Sequence, residues 1–316
     1  MKLPPFTVHR PGSVGQASRL LADLGDDAAA YCGGTELLLA MKLGLASYEH
    51  LVDLKRVYGL RGIAADGGIT RIGAATTHHE IETSAALRAR YPELSVMISQ
   101  VANLRVRSVG TLGGNLCFAD PHSDPASFLM AVGATLVCQR AEATRRVSAA
   151  EFLTGLYETA LAPGELLVAV ELPARPERTG LSHLRMKLTE RPVVTVTALI
   201  TLAPGDAVAE ARLVVGSVAS TPFTVAAASL LGAGPADFGS RAEACAQPEE
   251  VLREGNDQGA QGTTDVDADV KNRERRIEAC ATFRIKAGDD GADVWFQQPD
   301  THDDDQQTYV EPGWCG

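Results

Sequence analysis

Two short glycine-centred stretches carry the residue types that could bind an anion. One runs TLGGNLCFADPHSD from Thr111 to Asp124, a Gly-Gly pair that follows the basic Arg105-Val-Arg107 and leads into two carboxylates. The other is Cys32-Gly-Gly-Thr-Glu36. Glycines allow the backbone to come close to an anion, and successive amides can form a nest for phosphate oxygens. Either pair alone reads as a turn, and Asp124 before Pro125 alone reads as a helix N-cap. Two such loops, each running into an apolar stretch, point to two lips of one phosphate-binding cleft. Other chemistry has less support. The six cysteines stand at 32, 117, 138, 245, 280 and 315 with no CxxC pair, so neither a zinc ribbon nor a ferredoxin-type cluster is indicated. His78 and His79 are adjacent and diverge by about 100° on a helix, which makes them poor joint ligands and assigns them to the surface or a cleft. No nucleophile–base triad stands out.

The elements that must position these loops are legible in outline. Ser13-Val-Gly-Gln16 has a capping-box pattern, Ala17, Leu20, Leu21 and Leu24 follow at helical spacing, and Gly25 ends the helix. Ala28–Tyr31 reads as a strand entering the first loop, and residues 36–43 as a helix leaving it, its first amides turned to whatever the loop holds. Leu51–Leu54 and Ile69–Ile72 read as strands. Thr77-His-His-Glu80 is a second capping box, predicting a helix to about Arg90, and residues 93–103 predict another. After the second loop a helix is expected over 125–132, then strands over 135–139 and 166–172. Residues 183–188, 193–202 and 209–215 predict successive strands, the middle one, VVTVTALITL, rich in β-branched residues, and Thr221-Pro222 is expected to open a helix through Leu231. The chain then divides into residues 1–175, 176–245 and an acidic stretch, 246–316, with the first boundary near Pro173–Thr179.

The 316 residues carry a formal net charge of -11. Residues 249–316 hold 17 acidic and 7 basic side chains, whereas the first 248 hold 23 and 22. The body is thus near neutral and has no basic field for nucleic acid. The acidic stretch, polar and Gly-rich at GNDQGAQGTTDVDADV, reads as linker or disorder. Its Asp265, Asp267 and Asp269 alternate as in calcium loops but lack the Gly and terminal Glu of an EF-hand, so a solvated charged run is the expectation. No apolar run is long enough to form a transmembrane segment, and MKLPPFTVHRPGS lacks the apolar centre of a signal peptide, which predicts a cytoplasmic protein.

At the two loops the sequence resembles the FAD-binding medium subunit of the molybdenum hydroxylases, the family of xanthine oxidase and aerobic carbon monoxide dehydrogenase. YCGGTELLLAMKLGL is similar to that family's first glycine loop and its apolar helix, and RSVGTLGGNLCFADPHSDPAS to its TIGGN…D loop. FTVHRPGSVGQASRLL, EHLVDL, IGAATTHHEIE, FLTGLYETALAPGELLVAVELP and LRMKLTERPVVTVTALITL extend the resemblance over roughly residues 5–232. Among family members the carbon monoxide dehydrogenase-like medium subunits look closest. The basic, apolar helical ending of the family is replaced here by the acidic stretch, and the cysteine-rich insertion that holds a [4Fe–4S] cluster in one branch is absent from 114–138.

The resemblance implies an α+β fold: an FAD-binding domain of two subdomains with the cofactor between them, then a small α+β C-terminal domain, without a Rossmann GxGxxG motif. It implies an oxidoreductase subunit without catalytic residues or metal of its own. Its partners are expected to be a large subunit with a molybdopterin-type molybdenum cofactor and a small one with two [2Fe–2S] clusters, assembled as (αβγ)2. Electrons are expected to pass from the clusters through FAD to an external acceptor. Carried over by position, Cys32, Gly33, Gly34, Thr35 and Glu36, with Gly110, Thr111, Leu112, Gly113, Gly114 and Asn115, hold the diphosphate and ribityl chain. Asp124 accepts from ribose or adenine. Val101 and Ala102 leave room for a flat ring. Leu167 and Lys187 approach the flavin, where a lysine favours an anionic reduced ring; Arg185 competes with Lys187 for that position. The alternatives are a self-sufficient FAD-dependent oxidoreductase, which needs a larger substrate domain, and a non-enzymatic scaffold, which has no need of intact glycines in both loops.

Overall fold

A computed structural model describes residues 2–187, 191–234, 236–245, 284–287 and 294–297. The chain opens with a small parallel unit. Strand β1 (Thr7–His9) leads to helix α1 (Val14–Leu24), strand β2 (Ala28–Tyr31), helix α2 (Leu37–Leu43) and strand β3 (His50–Asp53). The three strands form a parallel sheet in the order β1-β3-β2. Helix α1 begins where expected: the Ser13 side chain accepts from the Gln16 amide, and Gln16 Oε1 in turn accepts from Gly12 N at 2.8 Å. Gly25, at φ 57°, ends it in the left-handed region that glycine occupies without a Cβ clash. Because β2 ends at Tyr31 and α2 starts at Leu37, the first glycine loop spans the edge between strand and helix.

The next stretch builds a five-stranded antiparallel sheet with helices on it. In chain order come β4 (Ile63–Asp66), β5 (Ile69–Gly73), α3 (His78–Thr83), α4 (Ala85–Arg90), α5 (Pro92–Ser99), α6 (Leu104–Arg107), α7 (Leu112–Phe118) and α8 (Asp124–Ala131). Then follow β6 (Thr135–Arg140), β7 (Ala143–Ser148), α9 (Ala149–Phe152), the short β8 (Leu153–Gly155) and β9 (Glu158–Thr159), and β10 (Leu166–Leu172). The sheet order is β4-β5-β10-β6-β7. Strand β10, LLVAVEL, lies at its centre and is buried at every position except Glu171. Glu171 is matched by Arg71 from one side at 2.8 Å and Arg146 from the other at 3.1 Å. The main core joins Ile72, Ile81, Leu94, Ile98, Leu112, Phe128 and Val170, so the helices before and after the second loop share one apolar interior with the sheet.

The third part is an antiparallel meander: β11 (Thr179–Lys187), β12 (Pro192–Leu202), β13 (Val208–Gly216) and β14 (Phe223–Val225), paired in that order. Helix α10 (Phe238–Cys245) follows. Leu181 and Leu199 of this sheet enter the main core, while Val194, Val215, Phe223 and Val225 form a cluster of their own. Two further strands, β15 (Arg284–Ala287) and β16 (Val294–Gln297), pair antiparallel.

Three expectations are corrected. The helix predicted over 221–231 is strand β14 followed by a 3-10 turn at Ala228–Leu230. Phe223 and Val225 are buried and Thr224 is exposed, a period of two that the pairing to Val215 and Leu213 of β13 selects. The helix predicted from Thr77 to Arg90 is two helices. Ser84 is extended and its hydroxyl accepts from the Leu87 amide, so it caps a new helix in place of continuing the old one. The helix predicted over 93–103 ends at Ser99, and Ala102 takes φ 44° before Asn103 caps α6. The acidic stretch, 246–316, lies outside the described residues apart from β15 and β16, which were not expected. Asp265, Asp267 and Asp269 are outside them as well.

Candidate functional site

The two glycine loops meet. A β-carbon built on Gly33 would stand 2.4 Å from the Val109 carbonyl oxygen and 2.7 Å from Gly110 Cα. One on Gly110 would stand 3.6 Å from Thr35 Oγ1. Only residues without side chains allow the backbones to approach this far. The second loop is pinned to the sheet and to α3. Gly113 N donates to Ala74 O at 2.8 Å, Leu112 N to Thr76 O at 3.1 Å, and His78 N to Gly110 O at 2.9 Å. A side chain at Gly113 would collide with Ala74 at 2.6 Å, so this glycine serves packing.

A polar chain also joins the loops. Gly114 N donates to Thr111 Oγ1 at 3.1 Å. The Thr111 hydroxyl in turn hydrogen-bonds the Cys32 thiol, which burial, the largest influence, pushes above its ordinary range. Thr111 is thereby both the N-cap of α7 and the tie to the first loop. Asn115 Oδ1 accepts from Ser123 Oγ at 2.6 Å.

The loops differ in what their amides do. In the second, the amides of Leu112, Gly113, Gly114 and Asn115 all have acceptors within the protein. In the first, the amides of Gly34, Thr35 and Glu36 have none among the described residues. Unpaired main-chain donors side by side, in a loop that glycine shapes, are what an anionic ligand needs. Gly34 holds φ 72°, which lets the loop turn from β2 into α2.

Charge around the loops is balanced by one residue that sequence reasoning missed. Arg191 places Nη2 3.0 Å from Glu36 Oε2 in the first loop and pairs through Nη1 with Asp120, beyond the second. Two carboxylates that would repel phosphate are thereby neutralised. No local pattern could have shown this, because Arg191 lies 155 positions from Glu36 in sequence. The basic stretch that precedes the second loop has another use. Arg107 Nε donates to Glu82 at 3.0 Å and Nη1 to Val101 O at 3.1 Å, so it ties α6 to α3.

The remaining predicted residues are distributed as follows. Asp124 opens α8, with Ser123 and not Asp124 at the N-cap. Its side chain is only 5% exposed. Oδ2 accepts from Arg185 Nη1 at 2.9 Å and Oδ1 lies 3.4 Å from His183 Nε2, so the pair fastens α8 to β11. Arg185 also donates to the Gln100 carbonyl, and Lys187 Nζ lies 3.4 Å from the same oxygen. The Arg185 side chain is only 9% exposed, whereas Lys187 is exposed at the end of β11. Val101 packs against the main core, and Ala102 is exposed. The left-handed backbone of Ala102 is one that non-glycine residues adopt at a cost of roughly 1–2 kcal/mol. Leu167 is buried in the main core, at an irregularity in the pairing of β10 with β6. Of the histidine pair, His79 is half-exposed beside Glu82 at 3.5 Å, whereas His78 is 3% exposed. Expecting both at the surface or in a cleft missed this asymmetry. His78 begins α3 on its buried face, where Ile81 follows at i+3.

The residues present therefore suit a dinucleotide diphosphate: free amides, close backbone approach, paired carboxylates and a neutral thiol. Comparison with known proteins agrees. The model of the FAD-binding domain in molybdopterin dehydrogenase matches residues 4–175. The carbon monoxide dehydrogenase medium chain of Afipia carboxidovorans is 36% identical over 220 residues, 69% of this chain and 76% of that protein. The xanthine dehydrogenase FAD-binding subunit of Escherichia coli is 31% identical over 220 residues, 68% and 75% of the two chains. Among solved structures, carbon monoxide dehydrogenase from Hydrogenophaga pseudoflava lacking the Mo-pyranopterin moiety of its cofactor gives a TM-score of 0.78 at 31% identity, covering 88% of this chain and 96% of that one. Quinoline 2-oxidoreductase from Pseudomonas putida 86 gives 0.74 at 28%, with the same coverage.

Proposed function

This chain belongs to the family of FAD-binding domains of molybdopterin dehydrogenases, as an FAD-binding medium subunit of the molybdenum hydroxylases, and on that premise we propose that it carries electrons between partner subunits and an external acceptor. The observation that carries the reading is the first loop, whose Gly34, Thr35 and Glu36 amides have no acceptor among the described residues where the second loop abuts it. Bound FAD supplies an acceptor that takes electrons singly and passes them on. The protein's task is to bind, orient and tune it.

In this reading Gly34, Thr35 and Glu36 donate main-chain hydrogen bonds to the diphosphate. Cys32, Gly33 and Gly110 let the two loops close on each other. Thr111, Leu112 and Gly113 hold the second loop in shape, and Gly114 and Asn115, which are partly open to solvent, face the cofactor. Asp124 belongs to the set because a carboxylate offers about four lone-pair positions, and the contacts to Arg185 and His183 leave capacity for a ribose hydroxyl. Val101, Ala102 and Leu167 supply small or apolar surface for the ring. Lys187 supplies positive charge near it, with Arg185 the buried competitor.

The partners in this proposal are a large molybdenum-cofactor subunit and a small subunit with two [2Fe–2S] clusters, joined as (αβγ)2. The division into residues 1–175, 176–245 and 246–316 belongs to the same proposal. No helix among the described residues is long and apolar enough to cross a membrane. The test is the visible spectrum of the purified full chain, with the released cofactor identified after denaturation. One FAD per chain and no iron is the expected result. Flavin absent both from the isolated chain and from its native complex would overturn the assignment.

A further inference from the structure

Arg191 reaches the flanks of both glycine loops from a third part of the chain. It stands one residue before β12, and the meander is fastened to the helix that follows the second loop. Thr195 Oγ1 of β12 lies 3.1 Å from Ser127 Oγ of α8, and Asp124 of α8 accepts from Arg185 of β11 at 2.9 Å. The guanidinium divides between two carboxylates, with Nη2 3.0 Å from Glu36 Oε2 and Nη1 on Asp120 Oδ2. Asp120 is buried, and its other oxygen, Oδ1, accepts from His122 N at 2.9 Å. Arg191 thus takes the oxygen that the His122 amide leaves.

Glu36 shows what the contact does. Its carboxylate belongs to the loop whose Gly34, Thr35 and Glu36 amides have no acceptor among the described residues. A carboxylate beside open main-chain donors is itself a strong acceptor for them. Glu36 nevertheless makes no side-chain cap on α2, and its hydrogen bond goes to Arg191, 155 positions away. Turned onto the loop, that carboxylate would occupy the donors and repel a second anion; drawn across to Arg191, it does neither. The Glu36 and Arg191 side chains are 37% and 46% exposed, so their pairing adds little to stability and its effect falls on the charge at the loops.

We propose that Arg191 is a positioning residue for FAD, which holds the carboxylates of Glu36 and Asp120 aside so that the first-loop amides stay open to the diphosphate. This rests on the reading that FAD lies between the loops. Arg191 lies outside residues 4–175, the part that the family model matches, so the meander contributes to the cofactor site by acting through two side chains of that part.

The test is the affinity of the full chain for FAD after flavin removal, read by quenching of FAD fluorescence at low and high salt. Arg191→Gln should raise the Kd about tenfold at low ionic strength, and the deficit should shrink as salt screens the released carboxylates. Melting by circular dichroism should stay within about 3 °C of wild type. Adding Glu36→Gln and Asp120→Asn to Arg191→Gln should return the Kd to within about threefold of wild type, because the charges that Arg191 held aside are then gone. Arg191→Gln that binds FAD as tightly as wild type overturns the proposal. So does a loss that salt does not shrink and the triple variant does not recover, because Arg191 would then contact FAD itself or hold the fold. Should Arg191→Gln melt far below wild type, Glu36→Gln with Asp120→Asn in the wild-type background carries the test: it should bind FAD at least as tightly as wild type, and weaker binding overturns the proposal. Failure of the wild-type chain to take up FAD is a different result, and it refutes the assignment of the loops.

Discussion

Replacing Gly33 by alanine adds one methyl group at the point where the two loops are closest. That carbon would lie 2.4 Å from the Val109 carbonyl oxygen and 2.7 Å from Gly110 Cα. A carbon and a carbonyl oxygen rarely stand closer than about 3.3 Å, so the loops must part by ~0.9 Å. Both obstacles are main-chain atoms, and the second loop is pinned by Gly113 N, Leu112 N and the bridge between Thr77 and Thr111. The first loop therefore has to give. Overpacking of this kind costs roughly 1–3 kcal/mol, which lowers Tm by roughly 2–12 °C in a chain of this size. A displacement near 1 Å also takes the Gly34–Glu36 amides out of hydrogen-bond range of a ligand that the second loop holds. Each lost bond to phosphate should weaken FAD at least about tenfold. The assay compares Gly33→Ala with Gly239→Ala, a helical glycine with nothing within 4 Å of its would-be β-carbon. The control should be neutral or stabilised by up to about 1 kcal/mol. A Gly33→Ala chain with wild-type melting and full flavin content would show that the loops do not abut as described.

Other perturbations test other parts of the site. Gly114→Val should abolish flavin occupancy in the purified chain while circular dichroism stays native, because among the described residues outside its own helix backbone the added β-carbon crowds Thr111 Oγ1, at 2.9 Å, and no main-chain wall. Asp124→Ala strands the buried Arg185 and should cost about 3–5 kcal/mol in chemical denaturation; a loss under 1 kcal/mol would mean that the pair is solvated. Acid stability should depend on Glu165, whose pKa is lowered first by its hydrogen bonds from Arg145. Because the folded value lies below the unfolded one, this contribution is complete above about pH 4.3 and is lost as pH falls through the lowered value. Arg145→Ala should thus shift the acid transition to higher pH while leaving the unfolding midpoint at pH 9 and pH 6 in the same proportion as wild type.

What could be read in advance follows from how local each signal is. Strand β2 was expected over Ala28–Tyr31 and is found there, because the glycine pair that follows marks its end. The Ser13 and Thr77 caps were equally visible, since a side chain three residues away decides them. Strand β14 was missed because three residues, FTV, carry little periodicity until Leu213 and Val215 of β13 lie beside them. Ser84 was a readable helix stop, and the expectation of one long helix overrode it. At the site, the glycines were legible by type. Their division of labour was not: Gly33 and Gly110 admit the opposite loop and Gly113 admits Ala74, which only the folded chain shows. Arg191 and His78 owe their places to long-range packing and left no mark in the sequence around them.

The unequal use of amides in the two loops has a kinetic side. Donors already engaged within the protein exchange their protons with solvent only when the structure opens, whereas those of Gly34, Thr35 and Glu36 have no acceptor among the described residues. In the proposed reading the second loop is a template fixed by its own hydrogen bonds, and the first takes its final hydrogen bonds from the ligand. The entropy of ordering falls on three residues and not on both walls, which favours tight retention of a large, flexible dinucleotide. Hydrogen exchange should then slow on flavin uptake at residues 34–36 and hardly change at 112–115.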